Sequence, residues 1–276
     1  AGGGIGGLAC ALACARSGVR VRLYEQAAAF GEVGAGVQLG PNAVRVLQGW
    51  GLAPGLDAVA ARPQALQVMR ADTGERLATL PLGAAMLRRY GAPYLTVHRA
   101  DLHRLLLDAV AAHDAVALRT GCTVQAVAQT ADAVQLQLDG LAVEGDLLVG
   151  ADGVWSRVRD AWPGNEPARY TGHLAWRALL RQADLPAALR TQDVTAWLGP
   201  RLHVVHYPVR GGEWLNIAGF IEGPRPPDLA NWDIAPADLP AEAGGLPAAL
   251  RAAAPPLRAL AEAVPHWRLW ALCGRS

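Results

Sequence analysis

Five glycines near the start of the chain are arranged in a way that suits the binding of a dinucleotide. The pattern is Gly2-x-Gly4-x-x-Gly7, and a run of small residues that predicts a helix follows it to about Arg16. Glycines at these positions allow a tight turn, close approach of backbone N–H groups to a pyrophosphate, and tight packing of a helix on a strand. The chain therefore carries a candidate site for a cofactor that contains ADP.

An acidic residue stands where such a site needs one. Glu25 ends a strand predicted over residues 19–25, and seventeen residues separate it from Gly7. A carboxylate at this position accepts the hydroxyls of an adenosine ribose and repels a 2′-phosphate. The pattern favours FAD or NAD. The alternative is a plain glycine turn followed by an ordinary glutamate at the end of a strand.

Two histidines and a tyrosine share one predicted strand, residues 202–209. The two-residue period of a strand puts His203 and Tyr207 on one face and His206 on the other. An imidazole at His203 is suited to accept a phenol proton near neutral pH, and Tyr207 to position the ring. The alternative for either histidine is a satisfied residue of the core or surface. Because the two histidines point to opposite faces and no carboxylates join them, a metal site is not expected.

Composition excludes several classes of chemistry. All 25 basic residues are arginines, so enzymes that need a lysine, among them Schiff-base enzymes, P-loop phosphate binders and protein kinases, are ruled out for these 276 residues. The net charge of +1 gives no basic surface for nucleic acid. Four sparse cysteines and the lack of a long apolar run predict a cytoplasmic protein without a membrane span.

The element pattern changes along the chain. Before residue 165, helices alternate with strands; they include a hairpin over residues 64–80, a helix over residues 102–110, and short strands at residues 116–118, 122–129, 134–138 and 147–150. After residue 165, strands at 173–181, 194–198, 202–209 and 214–221 follow one another, which is typical of an antiparallel sheet. Seven of the nine tryptophans lie after residue 160, and they suit an apolar substrate pocket.

These patterns predict an α/β protein with two domains. A Rossmann-like cofactor domain is expected over residues 1–63 and 98–165, and a second, α+β substrate domain over residues 64–97 and 166–276. The second domain is expected to be built on a mainly antiparallel sheet.

Several ordered motifs give the chain a specific resemblance. The stretch Ala151-Asp152-Gly153-x-x-Ser156-x-Val158-Arg159 resembles the Asp-Gly motif of the single-component (class A) FAD-dependent aromatic hydroxylases. In isolation, Asp152 would as readily be the cap of a helix. The similarity extends over residues 31–43, 98–102 and 206–212, which covers most of the chain, and is nearest to the salicylate and hydroxybenzoate hydroxylases.

The resemblance implies roles for individual residues. Those assigned to FAD are Gly2, Gly4, Ile5, Gly6, Gly7, Glu25, Gly36, Val37, Gln38, Arg99, Val124, Asp152 and Gly153. The backbone of residues 36–38 would run beside the isoalloxazine, Arg99 would contact the phosphate or ribityl region, and Val124 the adenine. Asp152 would lie at the pyrophosphate. The candidate catalytic residues are those of the predicted strand at residues 202–209, namely His203, Tyr207 and His206.

The reaction implied is hydroxylation of a small phenolic or aromatic acid. NADH or NADPH would reduce FAD, and O2 would add to give a C4a-hydroperoxide that attacks the ring. The alternatives are an NAD-dependent dehydrogenase and a non-catalytic relative that binds flavin. A homodimer is retained as a candidate assembly.

The family pattern extends past both ends of this chain. The glycine turn needs a preceding strand, and only Ala1 stands there. The family also carries a second FAD motif beyond the position of Arg275. The expectation is therefore that parts of the cofactor site lie outside these 276 residues.

Overall fold

The computed structural model describes residues 1–31, 35–239 and 245–275, and its backbone divides into two compact units. The first unit comprises residues 1–32, 102–169 and 273–276, and the second comprises residues 33–101 and 170–272. Residues 33–63 therefore belong to the second unit, and the functional domain limits given above stay a prediction.

The regular elements are as follows. The helices are α1 (Ile5–Arg16), α2 (Pro41–Gly49), α3 (Ala53–Val59), α4 (Gly83–Tyr90), α5 (Arg99–Ala111), α6 (Arg157–Asp160), α7 (Gly245–Ala249) and α8 (Pro255–Glu262). The strands are β1 (Val21–Tyr24), β2 (Gly36–Leu39), β3 (Ala65–Arg70), β4 (Arg76–Pro81), β5 (Leu95–His98), β6 (Val116–Arg119), β7 (Val124–Gln129), β8 (Val134–Leu138), β9 (Leu141–Gly145), β10 (Arg169–Arg181), β11 (Val194–Gly199), β12 (Leu202–Val209), β13 (Trp214–Glu222) and β14 (Arg268–Gly274). Within the described residues, every helix is too short or too polar to cross a bilayer.

The first unit begins with the predicted order of glycine turn, helix and strand. Helix α1 buries Leu8 and Leu12, and its small residues let it pack closely. Strand β1 then pairs in parallel with β6, with Val21 opposite Val116. Parallel pairing needs a long crossover between the two strands, which places the end of β1 beside the end of β6.

The remaining strands of the first unit form a three-stranded antiparallel sheet in the order β7-β8-β9. A turn at Asp139 and Gly140 follows β8, and the strand after it is β9. The strand expected over residues 147–150 is wrong. The described residues 147–150 lack regular strand pairing; Val149 O accepts the N-terminal N–H of Ala1, and the Ala151 N–H donates to Ala1 O.

The second unit is built on a seven-stranded sheet in the order β14-β10-β13-β12-β11-β3-β4. The pairs β10–β13, β13–β12, β12–β11 and β3–β4 are antiparallel, and β11–β3 is parallel. The sheet confirms the prediction of a mainly antiparallel second region, and the two units together confirm the α/β class.

The main core of the second unit lies on one face of this sheet. There, leucines of α7 and α8 such as Leu246 and Leu257 pack with Trp176 and Trp197, all nearly inaccessible to solvent. Trp176 and Trp197, two of the tryptophans expected to line a substrate pocket, fill this core instead, because alternate residues of β10 and β11 face the helices.

A small two-stranded sheet contributes to the second unit as well. Strands β2 and β5 pair antiparallel, with Gly36 opposite His98. The Thr96 hydroxyl donates to Pro208 O, which joins this small sheet to strand β12. The residues of β12 that face away from the helices, Tyr207 and Val209, pack in a second core with Leu82 and Val194.

Candidate functional site

The glycine turn presents an open helix start. Gly4 is the N-cap of α1, no side chain caps the helix, and its first turn holds no acidic residue. The first N–H groups of a helix lack intrahelical acceptors and carry the positive end of its dipole. Such an end is suited to a phosphate group.

Two glycines of the turn are required by packing. Gly2 has φ +97°, and a Cβ on it would lie 2.3 Å from Ala151 O. A Cβ on Gly7 would lie 1.9 Å from Gly2 O. Helix α1, the turn and the segment at Ala151 are therefore stacked backbone on backbone. By contrast, no described atom lies within 4 Å of a Cβ on Gly6.

Glu25 meets the turn, as the spacing predicts. Its backbone N–H donates to Arg119 O at the end of the parallel strand pair. Its carboxylate accepts the Gly3 N–H at 2.6 Å through Oε2 and the Ala27 N–H at 2.8 Å through Oε1. A carboxylate held by backbone donors beside the helix start is placed for ribose hydroxyls.

One residue at this turn was missed by sequence reasoning. His103, on the buried face of α5, has its Nε2 2.8 Å from Gly3 O, and the side chain is nearly inaccessible. Its ring also lies near that of Phe30. The apolar period of α5 marks position 103 as buried, but nothing in the sequence links it to a glycine a hundred residues earlier.

Asp152 serves as an anchor of the turn before α6. Its Oδ1 accepts the Ser156 hydroxyl at 2.6 Å and its Oδ2 accepts the Val158 N–H at 3.1 Å, while Ser156 Oγ accepts the Arg159 N–H. Ser156 is the N-cap of α6, and Asp152 accepts one further N–H of this helix start. Gly153 beside it is exposed with φ +79°.

Val124, also in the first unit, starts strand β7. It is buried with Tyr24 and Leu138 in the small core of that unit. Its side chain is therefore structural, and only its main chain is available for the contact that the resemblance implies.

In the second unit, the motif strand β2 is fixed against Tyr207 and Asn216. The Gly36 N–H donates to Asn216 Oδ1 at 2.6 Å, and a Cβ on Gly36 would lie 2.5 Å from the Tyr207 ring. Tyr207 and Asn216 are opposite each other on β12 and β13. Asn216 is only 2% exposed, and the sequence analysis did not identify it.

Gln38 and Arg99 lie at the same small sheet. The Tyr94 hydroxyl donates to Gln38 Oε1, and the Arg99 N–H donates to Ala35 O at 2.8 Å. Arg99 is close enough to Tyr207 to favour its phenolate electrostatically, although burial dominates and raises the pKa of Tyr207. Val37 lies between Gly36 and Gln38 and faces the other way, as the two-residue period requires.

Two motif segments named in the sequence analysis meet through an ion pair. Arg210 donates to both carboxylate oxygens of Asp101, at 2.8 and 3.0 Å. This bidentate pair joins residues 98–102 to residues 206–212 and raises the pKa of Arg210. Both motifs therefore help to fix the beginning of α5 beside the end of β12.

The structure separates the two candidate histidines, as the period predicts. His203 is exposed, with its ring 5.6 Å from that of Phe220, and partial burial lowers its pKa. His206 lies in the main core, stacked on Trp197. Among the described residues its Nδ1 has no hydrogen-bond partner, and burial lowers its pKa to about 4. His203 shares a face with Tyr207, and His206 does not.

Acid should destabilise the fold through His206. The folded pKa of about 4 lies below the unfolded value of 6.5, so the unfolded chain binds the extra proton first and stability falls as pH drops from 6.5 towards 4. Between about pH 7 and pH 4.5, we expect the free energy of unfolding of His206→Leu to fall by about 2 kcal/mol less than that of the native protein. Urea unfolding at the two pH values measures this, with the exposed His173→Leu as control. Equal acid losses in native protein and His206→Leu would contradict the prediction.

A metal centre has no support in the described ranges. Across residues 1–31, 35–239 and 245–275, no group of three or more His, Cys, Asp or Glu side chains is placed to hold a metal ion.

Comparison with known proteins gives consistent matches. A family model for an FAD binding domain matches residues 1–208. The chain is 42% identical over 217 residues to 3-hydroxybenzoate 6-hydroxylase of Klebsiella oxytoca, a match that covers 78% of this chain and 54% of the relative. It is 35% identical over 278 residues to 6-hydroxynicotinate 3-monooxygenase of Bordetella bronchiseptica, covering 100% of this chain and 70% of that relative.

Solved structures match over nearly all of the chain. HpxO of Klebsiella pneumoniae, complexed with FAD and uric acid, superposes with a TM-score of 0.78 at 26% identity, and the match covers 99% of this chain and 67% of HpxO. The chain spans roughly half to two thirds of the length of the 3-hydroxybenzoate 6-hydroxylases that it matches.

Proposed function

This chain belongs to the family of FAD-binding domains, and from that premise we propose that it acts in an FAD-dependent monooxygenase that hydroxylates a small aromatic acid. NADH or NADPH would be the reductant and O2 the co-substrate. The observation that carries the proposal is the meeting of Glu25 with the glycine turn at the uncapped start of α1.

The residues of the first unit fit the ADP portion of FAD. The start of α1, from Gly4 to Gly7, offers backbone donors and a positive dipole end to the pyrophosphate, and Gly6 leaves open space beside it. Glu25 already accepts two N–H groups and has further lone pairs for ribose hydroxyls. Asp152 and Gly153 would lie at the pyrophosphate, and the main chain of Val124 at the adenine.

The second unit would supply the residues near the reacting ring. Backbone groups of Gly36, Val37 and Gln38 would lie beside the isoalloxazine, and Arg99 would contact its phosphate or ribityl chain. When bound, the flavin would take a hydride from NADH or NADPH and activate O2 for transfer to the substrate.

Residues of β12 would prepare the substrate. His203, whose lowered pKa keeps its imidazole neutral at pH 7, would accept the proton of a ring hydroxyl. Removing this proton makes the ring electron-rich, and Tyr207, on the same strand face, would hold the ring in place. His206 faces the core, so we assign it a structural role.

The names of the relatives suggest hydroxylated benzoates and hydroxynicotinates as the substrate class. The proposal also includes a cytoplasmic location, with which the absence of a disulfide among the four cysteines agrees. A homodimer stays a prediction, which light scattering of the purified protein would test.

The decisive experiment is substrate-stimulated consumption of NADH or NADPH by the flavin-loaded enzyme. We expect 3-hydroxybenzoate, salicylate or 6-hydroxynicotinate to accelerate consumption and to yield a hydroxylated product. A yellow protein without any such turnover would favour the non-catalytic flavin-binding alternative. A colourless protein that binds NAD would favour the dehydrogenase.

A variant tests the assignment of His203. We expect His203→Ala to slow hydroxylation by roughly a hundredfold in single-turnover kinetics, in line with loss of a general base, while flavin reduction by NADH or NADPH stays largely intact. His173→Ala, another exposed histidine on the same sheet, is the control. Unchanged hydroxylation in His203→Ala would remove this residue from the mechanism.

A further inference from the structure

Gln38 lies between two phenols in the second unit. It shares a strand face with Gly36, and this face of β2 contacts Tyr207 of β12. The Tyr94 hydroxyl, just before strand β5, donates to Gln38 Oε1. The side chains of Gln38 and Tyr94 are only half-buried, whereas Tyr207 is 4% exposed.

The Tyr207 hydroxyl is the second neighbour of the Gln38 side chain. It lies 2.8 Å from the position that a Cβ on Gly36 would take, two residues from Gln38 on the same face. The Gln38 side chain is its hydrogen-bond partner, and this contact lowers the pKa of Tyr207 against the larger, opposite effect of burial. The three side chains thus form the series Tyr94, Gln38, Tyr207.

The chemistry of the amide gives this series a direction. A glutamine side chain has one oxygen that accepts and one NH2 group that donates. Because the Tyr94 hydroxyl donates to Oε1, the oxygen end of the amide is turned to Tyr94. The NH2 end is then the group that satisfies Tyr207, and it does so by donating to the phenol oxygen.

We propose that Tyr94 is a positioning residue for Tyr207. By holding Gln38 Oε1, it turns the amide NH2 towards the Tyr207 oxygen and leaves the Tyr207 O–H free to donate to an oxygen of the aromatic ligand. This inference rests on the proposed function, because it assumes that Tyr207 contacts that ligand. The ligand group that Tyr207 recognises is then a hydrogen-bond acceptor, namely the hydroxyl oxygen attached to the ring of a hydroxylated aromatic acid.

Without Tyr94, the side-chain amide of Gln38 can rotate by about 180°, so that its oxygen and NH2 group exchange places. Its oxygen then accepts from Tyr207, and the Tyr207 proton is no longer available to the ligand. The expected signature is therefore a loss of preference for a hydroxylated ring, with little change in the affinity for the same acid without the hydroxyl.

The test compares the dissociation constants of 3-hydroxybenzoate and benzoate for the flavin-loaded enzyme by calorimetry. We expect Tyr94→Phe to reduce the preference for 3-hydroxybenzoate by about fivefold, the size of one lost hydrogen bond. Tyr207→Phe should reduce it at least as much, and the double variant no further, because Tyr94 acts through Tyr207. Tyr90→Phe, which removes an exposed phenol of α4, should leave the preference unchanged.

The outcomes separate the two proposals. If the native enzyme binds none of 3-hydroxybenzoate, salicylate, 6-hydroxynicotinate and benzoate, the proposed function fails and takes this inference with it. If the native enzyme prefers 3-hydroxybenzoate and Tyr94→Phe keeps that preference, only the role of Tyr94 is overturned. Additive losses in the double variant would overturn it too, since they would mean that Tyr94 acts independently of Tyr207.

Discussion

Replacing Gly7 by alanine is expected to destabilise the first unit by about 3 kcal/mol and to weaken FAD binding at least tenfold. The new Cβ would lie 1.9 Å from Gly2 O and 3.5 Å from the Cβ of Ala151. Gly2 has no room to retreat on its other side, where even a Cβ added to it would lie 2.3 Å from Ala151 O. Helix α1 must therefore move away from the turn, and its N–H groups move with it.

Gly6→Ala is the matched control for stability. It places the same methyl group in the same helix, one residue earlier, where no described atom lies within 4 Å. Alanine is the better helix former by up to about 1 kcal/mol, so Gly6→Ala should unfold at equal or higher urea concentration than the native protein. A Gly7→Ala protein as stable as Gly6→Ala would contradict the close stacking of helix and turn.

The parts of the site that the sequence predicted are those set by local spacing. The glycine turn, α1, β1 and Glu25 lie within 25 consecutive residues, and their order alone brings the carboxylate back to the turn. Likewise, the two-residue period of β12 was enough to separate His203 from His206. The same period could not tell which face of the sheet meets the helices, so Trp176 and Trp197, on strands β10 and β11, were expected in a pocket although they lie in the core.

The parts that the sequence could not predict depend on contacts between distant residues. Asn216 reaches Gly36 across 180 positions, Tyr94 reaches Gln38 across 56, and His103 reaches Gly3 across 100. No periodicity links such pairs, since each depends on how separate strands and helices pack.

Replacing Gly36 by alanine tests the second unit in the same way. The new Cβ would lie 2.5 Å from the Tyr207 ring and 2.7 Å from Asn216 Cγ. Both side chains are almost fully buried, so neither can swing aside. Strand β2 must shift, which breaks the 2.6 Å hydrogen bond from Gly36 to Asn216. We expect a loss of about 2 to 3 kcal/mol in the free energy of unfolding and at least tenfold weaker binding of 3-hydroxybenzoate.

Two further variants identify the cause of that loss. Gly49→Ala, at the end of α2 in the same unit, has no described atom within 4 Å of its Cβ and should keep the native stability and affinity. In a Tyr207→Ala background, the stability cost of Gly36→Ala should shrink, because the ring that blocks the Cβ is gone. An undiminished cost in that background would mean that Tyr207 does not confine β2. Shrinkage would instead establish that a glycine is required at position 36 to admit the Tyr207 ring against strand β2.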